Sequence, residues 1–281
     1  MAPVVLPFAL AFLMFAVGLR LDMGQLVGTA SRPVPLLTGL MVQMLGLPAL
    51  AWLISQLLSF SPDLALGLMI IAVCPGGITS SYVSLLAGAD VALSTAMTIF
   101  TSIAASLTIP VLLDLSGIAI GATSLIQMAL VMSMVAAIPL VLGMALRAWA
   151  PRLAERLKSR LDVPAKVVFS GVVLATFWQN RFALMAAAAT AGPAVILLNG
   201  AGILLALSTV LVVGISRRQA LTIAVETGLQ NAAVAIFICS SILGQPELAV
   251  PALLYAVVMN LTALLLLFAG PRFDVARAAT D

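Results

Sequence analysis

Long apolar stretches alternate with short polar ones along almost the whole chain. Runs of about 18 or more apolar residues are typical of helices that cross a membrane. We predict nine such segments, and the third and eighth are interrupted by the polar or glycine-rich sequences PGGITSS and ETGLQN. The segments are residues 2–19, 34–58, 62–88, 90–115, 124–147, 163–180, 186–213, 216–243 and 246–269. The pattern predicts an all-α membrane protein with nine transmembrane helices in a single domain, 1–281.

Composition supports the membrane assignment and excludes several other classes of protein. Hydrophobic residues make up 63% of the 281 residues and charged residues only 8%. A soluble domain of this size could not bury so much apolar surface. The chain has no histidine, which removes the usual proton relay and the commonest transition-metal ligand. Its two cysteines, Cys74 and Cys239, lie inside apolar segments, so neither a disulfide framework nor a metal cluster is expected.

The basic residues predict how the nine segments are oriented. With nine crossings, 12 of the 13 Lys and Arg residues fall on one side and only Arg181 on the other. Because cytoplasmic loops are enriched in Lys and Arg, we expect a cell-membrane protein with its N-terminus outside and its C-terminus in the cytoplasm. No basic residue precedes Arg20, so residues 2–19 are expected to be a retained helix rather than a signal peptide. The basic residues do not form one patch, so no nucleic-acid partner is expected.

The two interrupted segments resemble each other. The sequence SPDLALGLMIIAVCPGG, from Ser61, aligns without gaps on SRRQALTIAVETGLQNA, from Ser216. The two segments would cross in opposite directions, so the halves, about 1–115 and 124–269, are expected to be inverted copies, joined by a basic cytoplasmic loop at 147–166. Broken helices at matching positions in inverted halves are typical of a transporter's binding site. Kinks that serve only packing are the alternative.

Glu226 is the one charged residue that the predicted segments place deep in the membrane. A charged group there costs roughly 2.5 kcal/mol or more, so such residues are usually functional and have a partner. No Lys, Arg or His lies at a similar depth. The possibilities are a protonated acid, a carboxylate held by hydrogen bonds, and a bound cation. Nearby oxygen-bearing side chains favour a cation such as Na⁺, which prefers hard oxygen ligands. These are Gln43, Thr79, Ser80, Ser81, Ser94, Thr98, Gln230 and Asn231.

The breaks also predict the charge of a transported solute. A break at mid-membrane exposes helix N-termini, whose partial positive charge suits an anion. Two Na⁺ ions and one Glu226 carboxylate would leave one net positive charge, which a monovalent organic anion would neutralise. A channel would need a polar stripe along several helices, whereas the polar residues here cluster near the predicted midplane. The sequence offers no nucleophile with an evident base and no phosphate-binding loop, which argues against an enzyme and an ATP-driven pump.

At these residues the chain resembles the bile acid:sodium symporter family. The resemblance covers nearly the whole chain and rests on FAVGLRL, Gln43, CPGGITSSYVSLLAGADVALSTAMT and VETGLQNAAVA. It implies Na⁺-coupled uptake of a small organic anion, such as a bile acid, pantoate or a keto acid, by alternating access and without another cofactor. The chain has Ser81 where family members usually have asparagine. Proton coupling and arsenite-type efflux stay open as alternatives within the carrier class.

The resemblance also implies two sodium sites where the broken helices cross. The first would consist of Ser80, Ser81, Ser94, Thr98 and Glu226. The second would consist of Gln43, Glu226, Gln230 and the backbone carbonyls of Thr227 and Leu229. The residues expected to face the substrate are Ile78, Thr79 and Asn231.

Overall fold

The structure, a computed structural model, describes residues 2–21, Gly24, Thr29, 33–77, 79–115 and 122–269. Helices account for most of these residues, and the β-contact recorded among them is one isolated antiparallel bridge. In chain order the helices are α1 (Ala2–Gly18), α2 (Pro33–Leu57), α3 (Pro62–Val73), α4 (Ser80–Leu86), α5 (Val91–Leu115), α6 (122–149), α7 (Pro151–Gln179), α8 (Arg181–Val212), α9 (Arg217–Gly228), α10 (Ala232–Ile242) and α11 (Val250–Ala269). The expected all-α fold is confirmed for the described part of the chain.

Several of the helical stretches are long and apolar enough to cross a membrane. There are five of them among the described residues, namely Pro33–Leu57, Val91–Leu115, Ile126–Trp149, Leu184–Val212 and Pro246–Leu267. Shorter apolar helices occupy Leu6–Gly18, Pro62–Val73 and Ala232–Ile242. The length and apolar character of these stretches identify a membrane protein.

Proline and polar side chains set the first turns of two helices that lead to the breaks. Pro62 opens α3 at a position where its missing N–H costs no hydrogen bond. At the start of α9, the Ser216 hydroxyl accepts a hydrogen bond from the Gln219 backbone N–H at 3.3 Å. The Gln219 side chain in turn accepts from the Ser216 backbone N–H at 3.0 Å, which completes a capping box. Local sequence therefore fixes where both of these helices begin.

Residues 151–166 are helical, so the expectation of a loop at 147–166 was wrong. Helix α6 ends at Trp149 and α7 begins at Pro151. One turn into α7, the Lys158 ammonium lies 3.0 Å from the Glu155 carboxylate, a spacing that supports a helix. Hydropathy reveals only the apolar part of a helix. With 29 residues, α7 is about 43 Å long and exceeds the roughly 30 Å hydrocarbon layer.

The helices around the breaks are packed against three others. Helices α1, α6 and α7 pack on one another, α2 to α5 pack with α8 to α11 around the two breaks, and α6 also packs on α5. The backbones of α1 and α6 approach closely at Gly18 and Gly143, where a Cβ on either residue would overlap a carbonyl oxygen of the other helix. Nearby, the Arg147 guanidinium donates to the Leu19 carbonyl at 2.9 Å. Small residues of this kind allow membrane helices to pack tightly.

Candidate functional site

The first break separates α3 from α4. Cys74 ends α3 with an extended backbone, φ −67° and ψ 153°. Pro75 explains this conformation, since proline disfavours the helical region for the residue before it and has no N–H to donate. Helix α4 begins only at Ser80. The interruption expected from PGGITSS is confirmed, although Ile78 lies outside the described residues.

The second break separates α9 from α10 and pairs with the first. The Gly77 N–H donates to the Leu229 carbonyl at 2.6 Å, and the Asn231 N–H donates to the Pro75 carbonyl at 2.9 Å. These two bonds form an antiparallel bridge centred on Gly76 and Gln230. Backbone groups freed from a helix within a membrane need partners inside the protein. Each break supplies hydrogen-bond partners to the backbone of the other. These bonds fix the position at which the two breaks cross.

Glycine at positions 76 and 77 permits this close approach. A Cβ at Gly76 would overlap the Glu226 carboxylate. At Gly77 a Cβ would lie 3.0 Å from the Leu229 carbonyl oxygen and 3.2 Å from that of Gln230. Both positions therefore exclude a side chain unless the neighbouring residues move. The PGG sequence thus serves the crossing as well as the helix break.

Glu226 lies in α9 beside the crossing and is fully buried, with an exposed fraction of 0%. Ser94 donates a hydrogen bond to one carboxylate oxygen, and Thr98 donates to the other at 3.1 Å. The hydroxyl of Ser80 also lies next to the carboxylate, and that of Ser81 is 2.9 Å from the Ser94 hydroxyl. The structure thus brings together all five residues predicted for the first sodium site. Among the described residues, no Lys or Arg forms an ion pair with Glu226.

A second group of polar side chains lies near Gly76, which the Glu226 carboxylate also approaches. A Cβ added at Gly76 would overlap the Glu226 carboxylate and would lie 3.5 Å from the Gln43 amide nitrogen. Gln43 and Glu226 therefore both approach Gly76. Gln43 is buried, and neither its amide nitrogen nor its oxygen has a hydrogen-bond partner in the described part of the chain. The Gln230 amide oxygen is buried and unpartnered in the same way. Buried polar atoms without a protein partner are rare, so these amide groups are candidate ligands for a bound ion.

The two carbonyls predicted for the second sodium site border this group. The Thr227 carbonyl accepts from the Gln230 side chain at 2.8 Å and from the Tyr255 hydroxyl at 3.3 Å. The Leu229 carbonyl accepts from the Gly77 N–H at the crossing. A carbonyl oxygen has two lone pairs, and the Thr227 carbonyl uses both for these hydrogen bonds. A cation bound to this carbonyl would therefore displace one of the two hydrogen-bond donors. The carbonyl of Leu229 keeps a lone pair free.

A cavity of about 90 Å³ lies against both breaks. Thr79 and Asn231, two of the residues expected to face the substrate, line it together with Gln230. The Asn231 side-chain oxygen accepts from the Val234 N–H at 3.3 Å and so caps α10. The other walls of the cavity come from α1 and the chain that follows it, from α7, from α11 and from the breaks, with Leu13, Ala16, Val17, Arg20, Gly77, Ala165, Ala232 and Met259.

Two buried residues outside the predicted site support the end of α9. The Asn199 amide nitrogen donates to the Gly228 carbonyl at 2.8 Å, and Tyr255 donates to the Thr227 carbonyl. Sequence reasoning missed both. Each is an isolated polar residue in an otherwise apolar segment, the signal that did draw attention to Gln43. Such residues are candidates for holding backbone groups in place at membrane depth.

Several proteins similar to this chain have sodium in their names. The chain is 28% identical over 247 residues to "probable sodium/metabolite cotransporter BASS1, chloroplastic" of Arabidopsis thaliana, covering 86% of this chain and 60% of that protein. It is 26% identical over 252 residues to "probable sodium/metabolite cotransporter BASS2, chloroplastic" of Oryza sativa subsp. japonica, covering 90% and 60%.

A bacterial relative is matched over more of its length. The "uncharacterized sodium-dependent transporter YocS" of Bacillus subtilis is 24% identical over 257 residues, which cover 92% of this chain and 80% of that protein. The chain therefore spans about 60% of the plant relatives and most of the bacterial one. The profile of the sodium bile acid symporter family matches residues 7–187, and with more than half of its length matched the chain belongs to this family.

Proposed function

We propose that the protein is a secondary active transporter that couples the entry of Na⁺ to the uptake of a small organic anion by alternating access. The observation that carries this proposal is Glu226, a fully buried carboxylate surrounded by hydroxyl groups where two broken helices cross. A buried carboxylate needs a compensating charge or dense hydrogen bonding. Sodium, which appears in the names of its relatives, is a cation of the right class.

The first ion is proposed to bind between α4, α5 and α9. Ser94 and Thr98 lie one helical turn apart on α5, so both hydroxyl oxygens face Glu226. Hydroxyls can turn their hydrogens away and offer lone pairs instead. Na⁺ would then lie between the carboxylate and the hydroxyl oxygens, and all of these oxygens would bind it. Ser80 and Ser81 at the start of α4 would complete the shell.

The second ion is proposed to bind on the Gln43 side of Glu226. The amide oxygens of Gln43 and Gln230 are buried acceptors without a partner in the described part of the chain. A hard cation prefers such neutral oxygens together with a carboxylate. The carbonyls of Thr227 and Leu229 would add backbone ligands. Glu226 would thus bind both ions, and Na⁺ would be the coupling ion, with no other cofactor.

The substrate is proposed to occupy the cavity beside the crossing. Thr79 and Asn231 offer polar groups from the two breaks. Ala232, the first residue of α10, also lines the cavity, so the partial positive charge of that helix N-terminus favours an anion. Movement of α1, α6 and α7 relative to the other helices would expose the cavity to each side in turn.

The remaining topology is part of the same proposal. Nine crossings in two inverted halves, about 1–115 and 124–269, would place the 147–166 region and the C-terminus in the cytoplasm. The breaks between α3 and α4 and between α9 and α10 support the inverted repeat, as does the one-sided distribution of basic residues. The cell membrane is the proposed location.

Uptake into proteoliposomes tests the coupling. Candidate anions are first screened by thermal shift with and without Na⁺, because a ligand of the folded state raises its stability. Uptake of an anion found in this way should require a Na⁺ gradient and rise cooperatively with Na⁺ concentration if two ions bind. Full uptake in choline medium with a pH gradient would reject sodium coupling and favour protons carried on Glu226.

A further inference from the structure

We propose that Na⁺ reaches Glu226 through a passage between α2, α3 and α5 that is separate from the cavity beside the crossing. This inference rests on the proposed function and gives its ions a route of their own. The passage consists of an outer cavity of about 550 Å³ and an inner cavity of about 10 Å³, which share the lining residues Met44 and Leu112. Neither shares a described lining residue with the cavity beside the crossing.

The outer cavity begins at the end of the bundle where α2 ends and α3 begins. Ser55, Gln56 and Asp63 line it there, and both Gln56 and Asp63 are exposed. A carboxylate at the mouth, in the first turn of α3, raises the local concentration of cations. At the inner end, Met44 lies roughly 20 Å along α2 from its last residue, Leu57. The outer cavity therefore reaches far below the ends of the helices, on the face that the proposed topology places outside.

The inner cavity contains an amide group that suits a cation. Gln43 lines this cavity and is 1% exposed, and neither polar atom of its side chain has a hydrogen-bond partner in the described part of the chain. A single water needs a cavity of about 10–15 Å³, and the inner cavity is close to that size. It therefore suits a single dehydrated ion and excludes an organic solute.

One face of α5 joins the inner cavity to Glu226. Ser94 and Thr98 donate to the Glu226 carboxylate, whereas Thr101 and Thr108 line the inner cavity. Intervals of four, three and seven residues place these four hydroxyls on one side of the helix. The Thr101 and Thr108 hydroxyls donate to backbone carbonyls one turn earlier, at 2.8 and 3.1 Å. A hydroxyl that donates keeps its lone pairs for a cation, so this face offers oxygen ligands from the inner cavity to Glu226.

The two cavities meet at an apolar constriction. Met44 comes from α2 and Leu112 from α5, one turn beyond Thr108. Methionine is unbranched and has three rotatable bonds, so its side chain can move aside for an ion. Met44 also belongs to a π-helical turn, Val42–Gly46, an irregularity that is frequent at functional sites. A change of side-chain size at position 44 should therefore alter how fast an ion passes.

A cation that reacts with thiols makes the native Cys74 a reporter of the passage. Cys74 lines the inner cavity, and thiolates bind soft cations such as Ag⁺ tightly, with release of the thiol proton. The parent protein is the full chain with Cys239→Ser, which leaves Cys74 as its single cysteine. It is exposed to AgNO₃ for increasing times in chloride-free nitrate buffer. Unreacted Cys74 is then counted by maleimide labelling of the unfolded protein, and Na⁺ affinity is measured separately by thermal shift.

The decisive variants change the constriction in opposite directions. Met44→Trp should fill it and slow the reaction of Cys74 with Ag⁺ by at least about tenfold, because close packing leaves no void for an ion. Met44→Ala should widen it and speed the reaction. Met41→Trp and Met41→Ala are the matched controls, since Met41 is exposed on the same helix and lines neither cavity. Their rates should equal that of the parent.

Two further variants distinguish the possible routes. Ala165→Trp should fill the cavity beside the crossing, which Ala165 lines, and should leave the rate of the Cys74 reaction unchanged. Asp63→Asn should slow the reaction at low ionic strength and not in concentrated choline nitrate, because salt screens the attraction between charges. Na⁺ affinity should stay near that of the parent in every variant, since a passage changes the rates of binding and release alike.

Two results would overturn the inference. One is a rate of Ag⁺ reaction that is unchanged in both Met44 variants, and Met44→Ala decides this alone if Met44→Trp does not fold. The other is a rate that falls in Ala165→Trp and not in Met44→Trp, which would assign the ion route to the cavity beside the crossing. Both results are independent of the thermal shift with Na⁺. A parent protein that Na⁺ does not stabilise would instead contradict the proposed function itself.

Discussion

At the scale of single residues, Glu226 is the centre of the candidate site because its carboxylate contacts the hydroxyls of Ser94 and Thr98 and lies close to Gly76. The cluster can exist in two forms. In one, a neutral acid is held by hydrogen bonds, and in the other a carboxylate binds Na⁺. The two forms differ in charge, so a substitution that removes the charge while keeping the shape distinguishes them.

Glu226→Gln should abolish the stabilisation that Na⁺ gives, whereas Ser94→Ala should only weaken it. Removing one partner from a buried charged cluster costs roughly 3–5 kcal/mol, a loss of more than about 100-fold in affinity. Loss of one neutral ligand costs about 1–3 kcal/mol. The measurement is a Na⁺ titration of the melting temperature of each purified variant. A near-normal response in Glu226→Gln would support the neutral acid and remove the basis of the sodium mechanism.

Asn199→Leu should lower Na⁺ affinity without touching either proposed ion directly. The substitution leaves the buried Gly228 carbonyl without its side-chain donor, at a cost of about 1–3 kcal/mol, and loosens the end of α9 beside Thr227. We expect Na⁺ affinity to fall by about tenfold with a reduced Hill coefficient for Na⁺.

Asn260→Leu is the matched control, because the Asn260 amide donates within its own helix, to the Ala256 carbonyl. Unchanged Na⁺ affinity and Hill coefficient in Asn199→Leu, measured by the same titration, would argue against a positioning role for Asn199.

At the scale of elements, the two breaks depend on each other. Neither broken helix could leave its backbone groups unpaired at membrane depth, and the bridge between Gly76 and Gln230 pairs four of them, two N–H groups and two carbonyls. The same bridge places α9 so that Glu226 faces α5. The geometry of the candidate site therefore follows from how the breaks cross as much as from the side chains in them.

Gly76→Ala should damage the site even though it adds one methyl group. The new Cβ would overlap the Glu226 carboxylate, and forced overpacking typically costs 1–3 kcal/mol, so about that loss is expected here. Gly171→Ala is the control, since no atom lies within 4 Å of a Cβ there. Melting temperature and Na⁺ response should both fall in Gly76→Ala and stay near wild type in Gly171→Ala. Equal behaviour of the two variants would contradict the close packing at the crossing.

At the scale of the whole molecule, membrane orientation follows from charge. The N-terminal part of α7 carries Arg156 and several other basic residues, whereas Arg181 stands alone beyond the other end of the same helix. A helix of 29 residues is long enough to separate these ends by the thickness of a bilayer. The basic end is expected in the cytoplasm.

Labelling of intact cells with an impermeant thiol reagent tests this orientation. A cysteine introduced at Arg181 should be modified from outside, whereas one introduced at Arg156 should react only after the membrane is opened. The native Cys74 and Cys239 are buried, and the unsubstituted protein gives the background. The opposite labelling pattern would reject both the nine crossings and the proposed orientation.

The sequence by itself determined the apolar segments, the two breaks and the choice of Glu226 as a candidate ligand. These depend on local properties, because hydropathy, proline and glycine act through the nearest turn of the chain. The same reasoning failed at 151–166, where a basic helix continues an apolar one. It could not predict that Arg20 would line a cavity, since that position depends on helices far away in the chain.

Only the tertiary structure decided which polar groups meet. Ser94 and Glu226 are separated by 132 positions in the chain, and the resemblance to a family, not their spacing, predicted that they would lie together. The support of α9 by Asn199 and Tyr255 had only a weak local signal, an isolated polar residue in an apolar segment, and the pairing of Gly77 with Leu229 had none. Contacts of this kind follow from how whole helices pack and from the need to pair every buried backbone group. Such contacts cannot be read from the pattern of a single sequence and become visible only in the complete fold.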